Sequence, residues 1–149
     1  MQLMLGQSPS PPLTNPKLHK QLEELLDEAW SLRHSDVTKA LDLSKQNLEQ
    51  SRKTAYTKGV AYSLLTQTFC YFRLADYKKA LESGQESLRL FETLDDHVGK
   101  QRILNTLGMV YAESGDLIGS LKTFLQVQKL CHDAADLKAE ADALNNLAI

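Results

Sequence analysis

The sequence repeats itself at an interval of forty residues. Asp36, Asp76 and Asp116 lie at this spacing. The pattern is fullest between residues 101 and 130, and other residues recur at the same interval: Ala40-Leu41, Ala80-Leu81 and Ser120-Leu121; Tyr71 and Tyr111; Leu104-Asn105 and Leu144-Asn145; Leu107 and Leu147. A fixed period of this size is typical of stacked repeats, in which each unit buries its apolar face against the next one. The interval therefore predicts an array of similar units, an architecture that usually serves as a binding surface.

Helices are the predicted elements of each unit, because apolar residues after Pro16 recur at three- and four-residue steps and no strand pattern appears. Seven helices are predicted, at 17–33, 37–52, 58–74, 77–93, 99–114, 117–132 and 137–148. Helices joined by short loops lie antiparallel. The sequence thus predicts an all-α fold, a right-handed α-solenoid of stacked antiparallel helical hairpins.

Two kinds of break separate the predicted helices. The breaks within pairs are very short, at 34–36, 75–76 and 114–116. Each ends in an Asp whose side chain can accept a backbone amide of the next helix, and Gly115 suits a left-handed residue after a helix end. The breaks between pairs are predicted to be longer, at 53–57, 93–97 and 133–137.

The domain organisation follows from proline content and from the period. Residues 1–16 hold all four prolines and are predicted to form a disordered leader. Residues 17–149 form the array, with units 17–56, 57–96 and 97–136 and a partial unit 137–149. Because the partial unit begins a hairpin without its second helix, the sequence is interpreted as a fragment of a longer protein, with possible self-association through the uncapped C-terminal helix.

Composition excludes several classes of function. Lys plus Arg total 17 against 19 Asp plus Glu, so the chain lacks the basic excess of a nucleic-acid binder. No apolar run approaches the ~18 residues of a membrane span. Cys70 and Cys131 fall at apolar positions of predicted helices and are interpreted as packing residues of a protein in a reducing compartment, by default the cytoplasm.

No catalytic, cofactor or metal signature was found. The sequence has no Gly-rich phosphate loop, no Gly-x-Ser-x-Gly elbow and no Cys-x-x-Cys pair. The pair Cys131-His132 stands without further metal-ligand partners in the sequence. We therefore expect a protein that is not an enzyme and that holds neither cofactor nor metal.

The repeated residues resemble the tetratricopeptide repeat (TPR). The third unit carries the pattern most fully, with Leu104, Leu107-Gly108, Tyr111, Gly115-Asp116, Ser120 and Phe124. The second unit has Gln67-Thr68 in place of Leu-Gly, and the first is degenerate, with Asp27-Glu28 at that place. The usual period of this family is shorter, so the chain is similar to its extended variant of about forty residues.

The resemblance implies that a peptide binds in a concave groove lined by the first helix of each hairpin, with Asn side chains holding its backbone. Helical spacing then selects the candidate groove residues: Tyr62, Leu65, Phe69, Phe72 and Arg73; Arg102, Asn105 and Met109; Asn145 and Asn146. Leu65, Phe69 and Phe72 could equally pack against a neighbouring helix. On the first helix the corresponding face reads Leu22, Leu25, Ala29 and Leu32, so a carboxylate clamp of Lys, Asn and Arg is not expected.

Two functions were considered. The first is a protein–protein interaction module that binds a peptide or helix in its groove, as the regulatory or sensory part of a larger signalling protein. The alternative is an intramolecular regulatory or oligomerisation element for an enzymatic output domain of cyclase or kinase type. Neither requires nucleic acid or a membrane.

Overall fold

The computed structural model of the chain describes residues 15–133, 142–145 and 147. Six α-helices lie within residues 15–133. Their bounds are α1, Pro16–Leu32; α2, Val37–Lys53; α3, Thr57–Arg73; α4, Tyr77–Leu94; α5, His97–Glu113; and α6, Leu117–Asp133. Residues 142–145 and 147 are helical as well. The all-α prediction is confirmed, and each of these six helices begins and ends within two residues of its predicted bounds. The predicted leader lies outside the described residues, except for Asn15 and Pro16 at the start of α1.

Aspartates cap the helices as predicted. The carboxylates of Asp36, Asp76 and Asp116 accept backbone amides three residues later, at 3.0, 3.2 and 2.8 Å. Asp96 does the same for α5 at 2.9 Å, although it was not predicted as a cap. This fourth cap explains why α5 begins at His97, two residues earlier than predicted.

Left-handed residues follow four of the helices at intervals of twenty residues: Ala55, Ala75, Asp95 and Gly115. In each turn the amide of the left-handed residue bonds to the carbonyl three residues earlier, and the next amide bonds to the carbonyl five residues earlier. This pair of bonds is the Schellman motif. Because the same motif ends helices within pairs and between pairs, the prediction of longer breaks between pairs is wrong: the turns at 54–56 and 95–96 are no longer than those at 74–76 and 114–116. The predicted break at 133–137 lies outside the described residues, apart from Asp133.

The turn between α1 and α2, at 33–36, has one residue more than the equivalent turns, and it shifts α1 by one position in the repeat. The side chain of Asn47 donates to the carbonyl of Leu22 at 2.8 Å. Forty residues later Ser87 donates to the carbonyl of Ala61 at 2.9 Å, yet Leu22 and Ala61 are only thirty-nine residues apart. The Leu-Gly position of the first unit therefore falls on Glu28-Ala29, and not on the predicted Asp27-Glu28. Ala29 is fully buried, as the small residue of this position should be.

The six helices contact one another in chain order, as stacked hairpins do. In addition, α3 contacts both α1 and α5, whereas no extensive contact joins α2 to α4 or α4 to α6 among the described residues. The layer of odd-numbered helices is therefore the more closely spaced one among the described residues, and we refer to its outer surface as the concave face.

Small residues allow the hairpins to close. A Cβ atom on Gly108 would lie 2.6 Å from the ring of Phe124, and one on Gly84 would lie 2.5 Å from Leu107. Ser120 donates to the carbonyl of Gly108 at 2.9 Å across the same contact. These contacts hold α5 against α6 and α4 against α5, and thereby set the spacing of the concave layer.

Candidate binding groove

The concave face is built from residues that repeat across α1, α3 and α5. Once the shift of α1 is applied, three rows of equivalent positions cross this face: Glu23, Tyr62 and Arg102; Asp27, Thr66 and Thr106; Trp30, Phe69 and Met109. The first row runs from an acid to a base, and the third is apolar. The face therefore changes in charge along the array while one strip of it stays apolar.

A cleft of about 210 Å³ opens in this face, and we call it the Trp30 cleft. It is lined by Glu23, Leu26, Asp27, Trp30, Lys58, Tyr62, Thr66 and Arg102. All three helices of the concave layer contribute to it. The cleft thus depends on the stacking of hairpins and would not exist in a single unit.

Aromatic rings form the floor beside this cleft. The rings of Trp30 and Phe69 meet edge to face, with 6.1 Å between their centres. His34 and Phe72 flank Phe69 at 4.9 and 6.2 Å. These contacts link α1 to α3 and fix the orientation of the Trp30 indole.

Two arginines share the Trp30 ring. The guanidinium carbon of Arg33 lies 3.7 Å from the ring centre, and that of Arg102 lies 5.8 Å from it. Arg33 donates through Nη1 to the carbonyl of Trp30 at 2.8 Å, while its buried Nε has no acceptor. Burial and, second, the charge of Arg102 lower the pKa of Arg33. Neither guanidinium forms an ion pair with a described carboxylate.

The other side of the cleft is acidic, and two of its side chains, Glu23 and Tyr62, are held by hydrogen bonds. Glu23 accepts a hydrogen bond from the hydroxyl of Tyr56 and lies 3.5 Å from His19. Tyr62 donates its hydroxyl to Asp96 at 2.8 Å, and burial followed by this bond raises the pKa of Tyr62 to about 12. Because Asp96 also caps α5, the hydrogen bond ties the Tyr62 ring to the turn before α5.

A second cleft of about 440 Å³ lies further along the array. Its lining is largely apolar: Phe72, Met109, Ala112, Glu113, Leu117, Ser120, Leu121, Phe124 and Leu147. It receives side chains from α3, α5 and α6. Unlike the Trp30 cleft, it contains a single charged residue, Glu113.

The predicted groove residues lie in different places: in the Trp30 cleft, in the second cleft, in the core or on the surface. Tyr62 and Arg102 line the Trp30 cleft, and Phe72 and Met109 line the second cleft. Leu65 is 1% exposed and belongs to the core with Ala61, Ile103 and Leu107, and Phe69 is 7% exposed, so both fit the packing alternative. Arg73 and Asn145 are exposed, Asn105 is half-buried with its Oδ1 atom lacking a donor, and Asn146 lies outside the described residues.

The contribution of α1 was missed. The sequence assigned Leu22, Leu25, Ala29 and Leu32 to the groove, but Leu22 and Ala29 are buried in the core. The groove side of α1 instead carries Glu23, Asp27 and Trp30. Their spacing of four and three residues was visible in the sequence, and Trp30 is its only tryptophan. The extra residue in the turn at 33–36 hid the equivalence.

Both cysteines are fully buried, in agreement with their interpretation as packing residues. Burial raises the pKa of the Cys70 thiol to about 11. Within the described ranges, no cluster of His, Cys, Asp and Glu side chains has an arrangement suited to a metal ion. None of the described helices combines the length and apolarity that crossing a membrane requires.

Comparison of the chain with protein-family models gave no match. Comparison with curated protein sequences gave no significant match. The resemblance to TPR proteins therefore rests on the repeated residues themselves.

Proposed function

We propose that this chain is a non-enzymatic interaction module of the TPR type, which binds a peptide segment or a helix along its concave face. In this proposal it is the regulatory or sensory part of a larger signalling protein. The ligand lies across α1, α3 and α5, with the Trp30 cleft as its point of attachment.

The observation that carries the proposal is the unsatisfied Oδ1 atom of Asn105. This atom is buried on the concave helix α5 and accepts no hydrogen bond from a described residue. An unpaired buried acceptor destabilises a fold by about 1–3 kcal/mol. The side chain as a whole is half-buried, so once its amide turns Oδ1 outward, a backbone amide of a bound peptide can supply the missing donor.

The charges of the groove support the same proposal. Arg102 lines the Trp30 cleft and is exposed. An exposed arginine above an aromatic ring binds carboxylates and backbone carbonyls through several donors at once. Contacts of this kind, at the centre of a groove and next to an aromatic anchor, contribute most of the affinity of many interfaces.

The test is a pulldown from lysate of the cells that express the protein. The wild type is compared with a double variant, Arg102→Ala with Asn105→Ala, and with a matched double variant on the exposed side of α4, Gln85→Ala with Arg89→Ala. We expect the α4 variant to recover the same partners as the wild type and the groove variant to lose them. Equal recovery by all three proteins would exclude the groove as the binding site.

A second function, oligomerisation, is favoured by one observation. Four apolar side chains of α6 are exposed: Leu117 and Ile118 at 69%, Leu121 at 51% and Leu125 at 46%. A row of this kind is a typical interaction surface. We propose that this row binds a second copy of the chain, or a neighbouring output domain of the same protein.

Sedimentation velocity tests the oligomeric state. The wild type should sediment as a concentration-dependent dimer, and Leu121→Lys should sediment as a monomer, because a charge on the row must be desolvated for association. Leu74→Lys is the control, because Leu74 is an exposed leucine (52%) in the turn after α3, outside α6. A wild type that is monomeric at high concentration would exclude oligomerisation through α6.

A further inference from the structure

The paired arginines at Trp30 suggest what the groove selects. Two cations lie over one aromatic ring, at 3.7 and 5.8 Å, and neither is neutralised by a described carboxylate. Ion pairs do form elsewhere in the fold; for example, Nη2 of Arg52 lies 2.9 Å from Oε1 of Glu86. Arg73 and Arg89 also form no ion pair with a described residue, so what sets Arg33 and Arg102 apart is that both guanidinium groups lie close to one aromatic ring.

The donors of these two residues are largely unused. Arg33 donates one hydrogen bond, from Nη1 to the carbonyl of Trp30, and its Nε atom is buried without an acceptor. Arg102 donates no side-chain hydrogen bond to a described residue. A guanidinium holds five N–H donors in a plane that matches a carboxylate. Arg102, which lines the cleft, thus offers an unfilled set of donors beside an apolar ring.

The opposite wall limits the charge of the ligand. Glu23 and Asp27 line the same cleft and face it from α1. A dianion such as a phosphate group would be repelled by these acids more strongly than a carboxylate of single charge. Lys58 is the remaining charged residue of the lining, so the cleft has cationic and anionic sides and no large excess of either.

We propose that the Trp30 cleft selects partner segments in which an acidic side chain stands next to an apolar one. The carboxylate binds the guanidinium group of Arg102, which lines the cleft, and the apolar side chain packs on Trp30. This inference rests on the proposed peptide-binding function and adds the chemistry of the ligand.

Trp30 gives a direct measurement of occupancy, because it is the only tryptophan of the chain. Its emission is recorded while acetyl-Leu-Glu-Leu-Glu-Leu-amide is added, and again with the isosteric peptide in which both Glu residues are Gln. We expect the acidic peptide to change the emission saturably and to bind at least ~10-fold more tightly than the neutral one. The difference should shrink as salt is raised from low to physiological ionic strength.

Variants assign this preference to Arg102. Arg102→Gln should reduce the affinity for the acidic peptide to that for the neutral peptide, and Arg89→Gln, on α4, should leave both affinities unchanged. Circular dichroism of each variant checks that the helices are retained.

Three results would overturn the proposal: equal affinity of wild type for the two peptides, no response of Trp30 to either, or a preference that survives Arg102→Gln. None of them would remove the proposed function. If the pulldown still shows loss of partners in the groove variant, the groove binds a protein whose chemistry differs from that proposed. If the pulldown fails as well, both conclusions fall together.

Discussion

Gly115→Ala should lower the free energy of unfolding and Ala75→Gly should raise it. Both positions hold a residue in the left-handed conformation, which glycine adopts more readily than alanine. Both positions are the left-handed residue of a helix-ending turn, with φ of 94° and 59° respectively. The same hydrogen bonds surround them, since Asp116 and Asp76 each donate a backbone amide to the carbonyl five residues earlier. The two sites therefore differ mainly in which residue occupies the left-handed conformation.

The magnitude follows from backbone conformation alone. A Cβ atom on Gly115 would meet nothing within 4 Å, so Gly115→Ala introduces no steric clash. The left-handed conformation costs about 1–2 kcal/mol for a residue with a Cβ atom. Replacing Gly lowers the entropy of the unfolded chain and returns about 0.4–1 kcal/mol. We expect Gly115→Ala to lower the free energy of unfolding by about 0.5–1 kcal/mol and Ala75→Gly to raise it by a similar amount.

Urea denaturation followed by circular dichroism at the helical band measures both changes. Ala112→Gly is the control: Ala112 is half-exposed and lies within α5 in right-handed helical conformation, so the same exchange should destabilise by about 0.5–1 kcal/mol there. The opposite signs of Ala75→Gly and Ala112→Gly separate the backbone effect from any effect of side-chain loss. A destabilising Ala75→Gly together with a neutral Gly115→Ala would refute the assignment of these turns.

Three further predictions concern the packing that supports the groove. Asn47→Ala should lower the free energy of unfolding by about 2–3 kcal/mol, because it leaves the buried carbonyl of Leu22 and two serine hydroxyls without their partner. Urea denaturation measures this loss, with Lys45→Ala, a change at a nearby exposed residue, as the control. Gly84→Ala should cost about 1–3 kcal/mol, since its Cβ atom would lie 2.5 Å from Leu107, and a double variant that also carries Leu107→Ala should show a coupling that offsets part of the loss. Stability should fall as pH rises from about 9 to about 11, because the pKa of Cys70 is raised from 9.0 to about 11 in the fold and only the unfolded chain ionises its thiol in that window. Denaturation midpoints at pH 8 and pH 10.5 should therefore separate more in the wild type than in Cys70→Ala; an equal separation would contradict the burial of this thiol.

The sequence predicted the helices well because two independent signals agreed. Apolar residues at three- and four-residue steps located the helices, and Asp36, Asp76 and Asp116 located their starts. The turn lengths were predicted less well, since the same turn recurs every twenty residues although the hairpins repeat every forty. Left-handed Ala55, Ala75 and Asp95 carry no glycine signal, so nothing in their residue types showed that the turns between pairs match those within pairs.

The groove was predicted only in part, and the reason lies in α1. Tyr62 and Arg102 line one cleft together, because α3 and α5 keep the forty-residue spacing. Because of the extra residue at 33–36, the forty-residue interval aligned Tyr62 with Leu22, whereas its structural equivalent on α1 is Glu23. The same error of one position concealed Trp30. A shift of one residue rotates a helical face by about 100°, so an alignment that is wrong by one position exchanges core and groove. Burial of Leu65 and Phe69 could not be separated from groove exposure by spacing alone, because both alternatives place them on the same side of α3.

Site-specific photo-crosslinking tests the central claim most directly. A benzophenone amino acid is introduced at Asp27, which is exposed in the Trp30 cleft, and in a second protein at Gln85, which is exposed on α4. We predict that the partner recovered by the wild type is crosslinked from position 27, is not crosslinked from position 85, and is lost from position 27 when Arg102→Gln is added. Crosslinking of the same partner from position 85 alone, or from both positions equally, would contradict a ligand bound along the concave face.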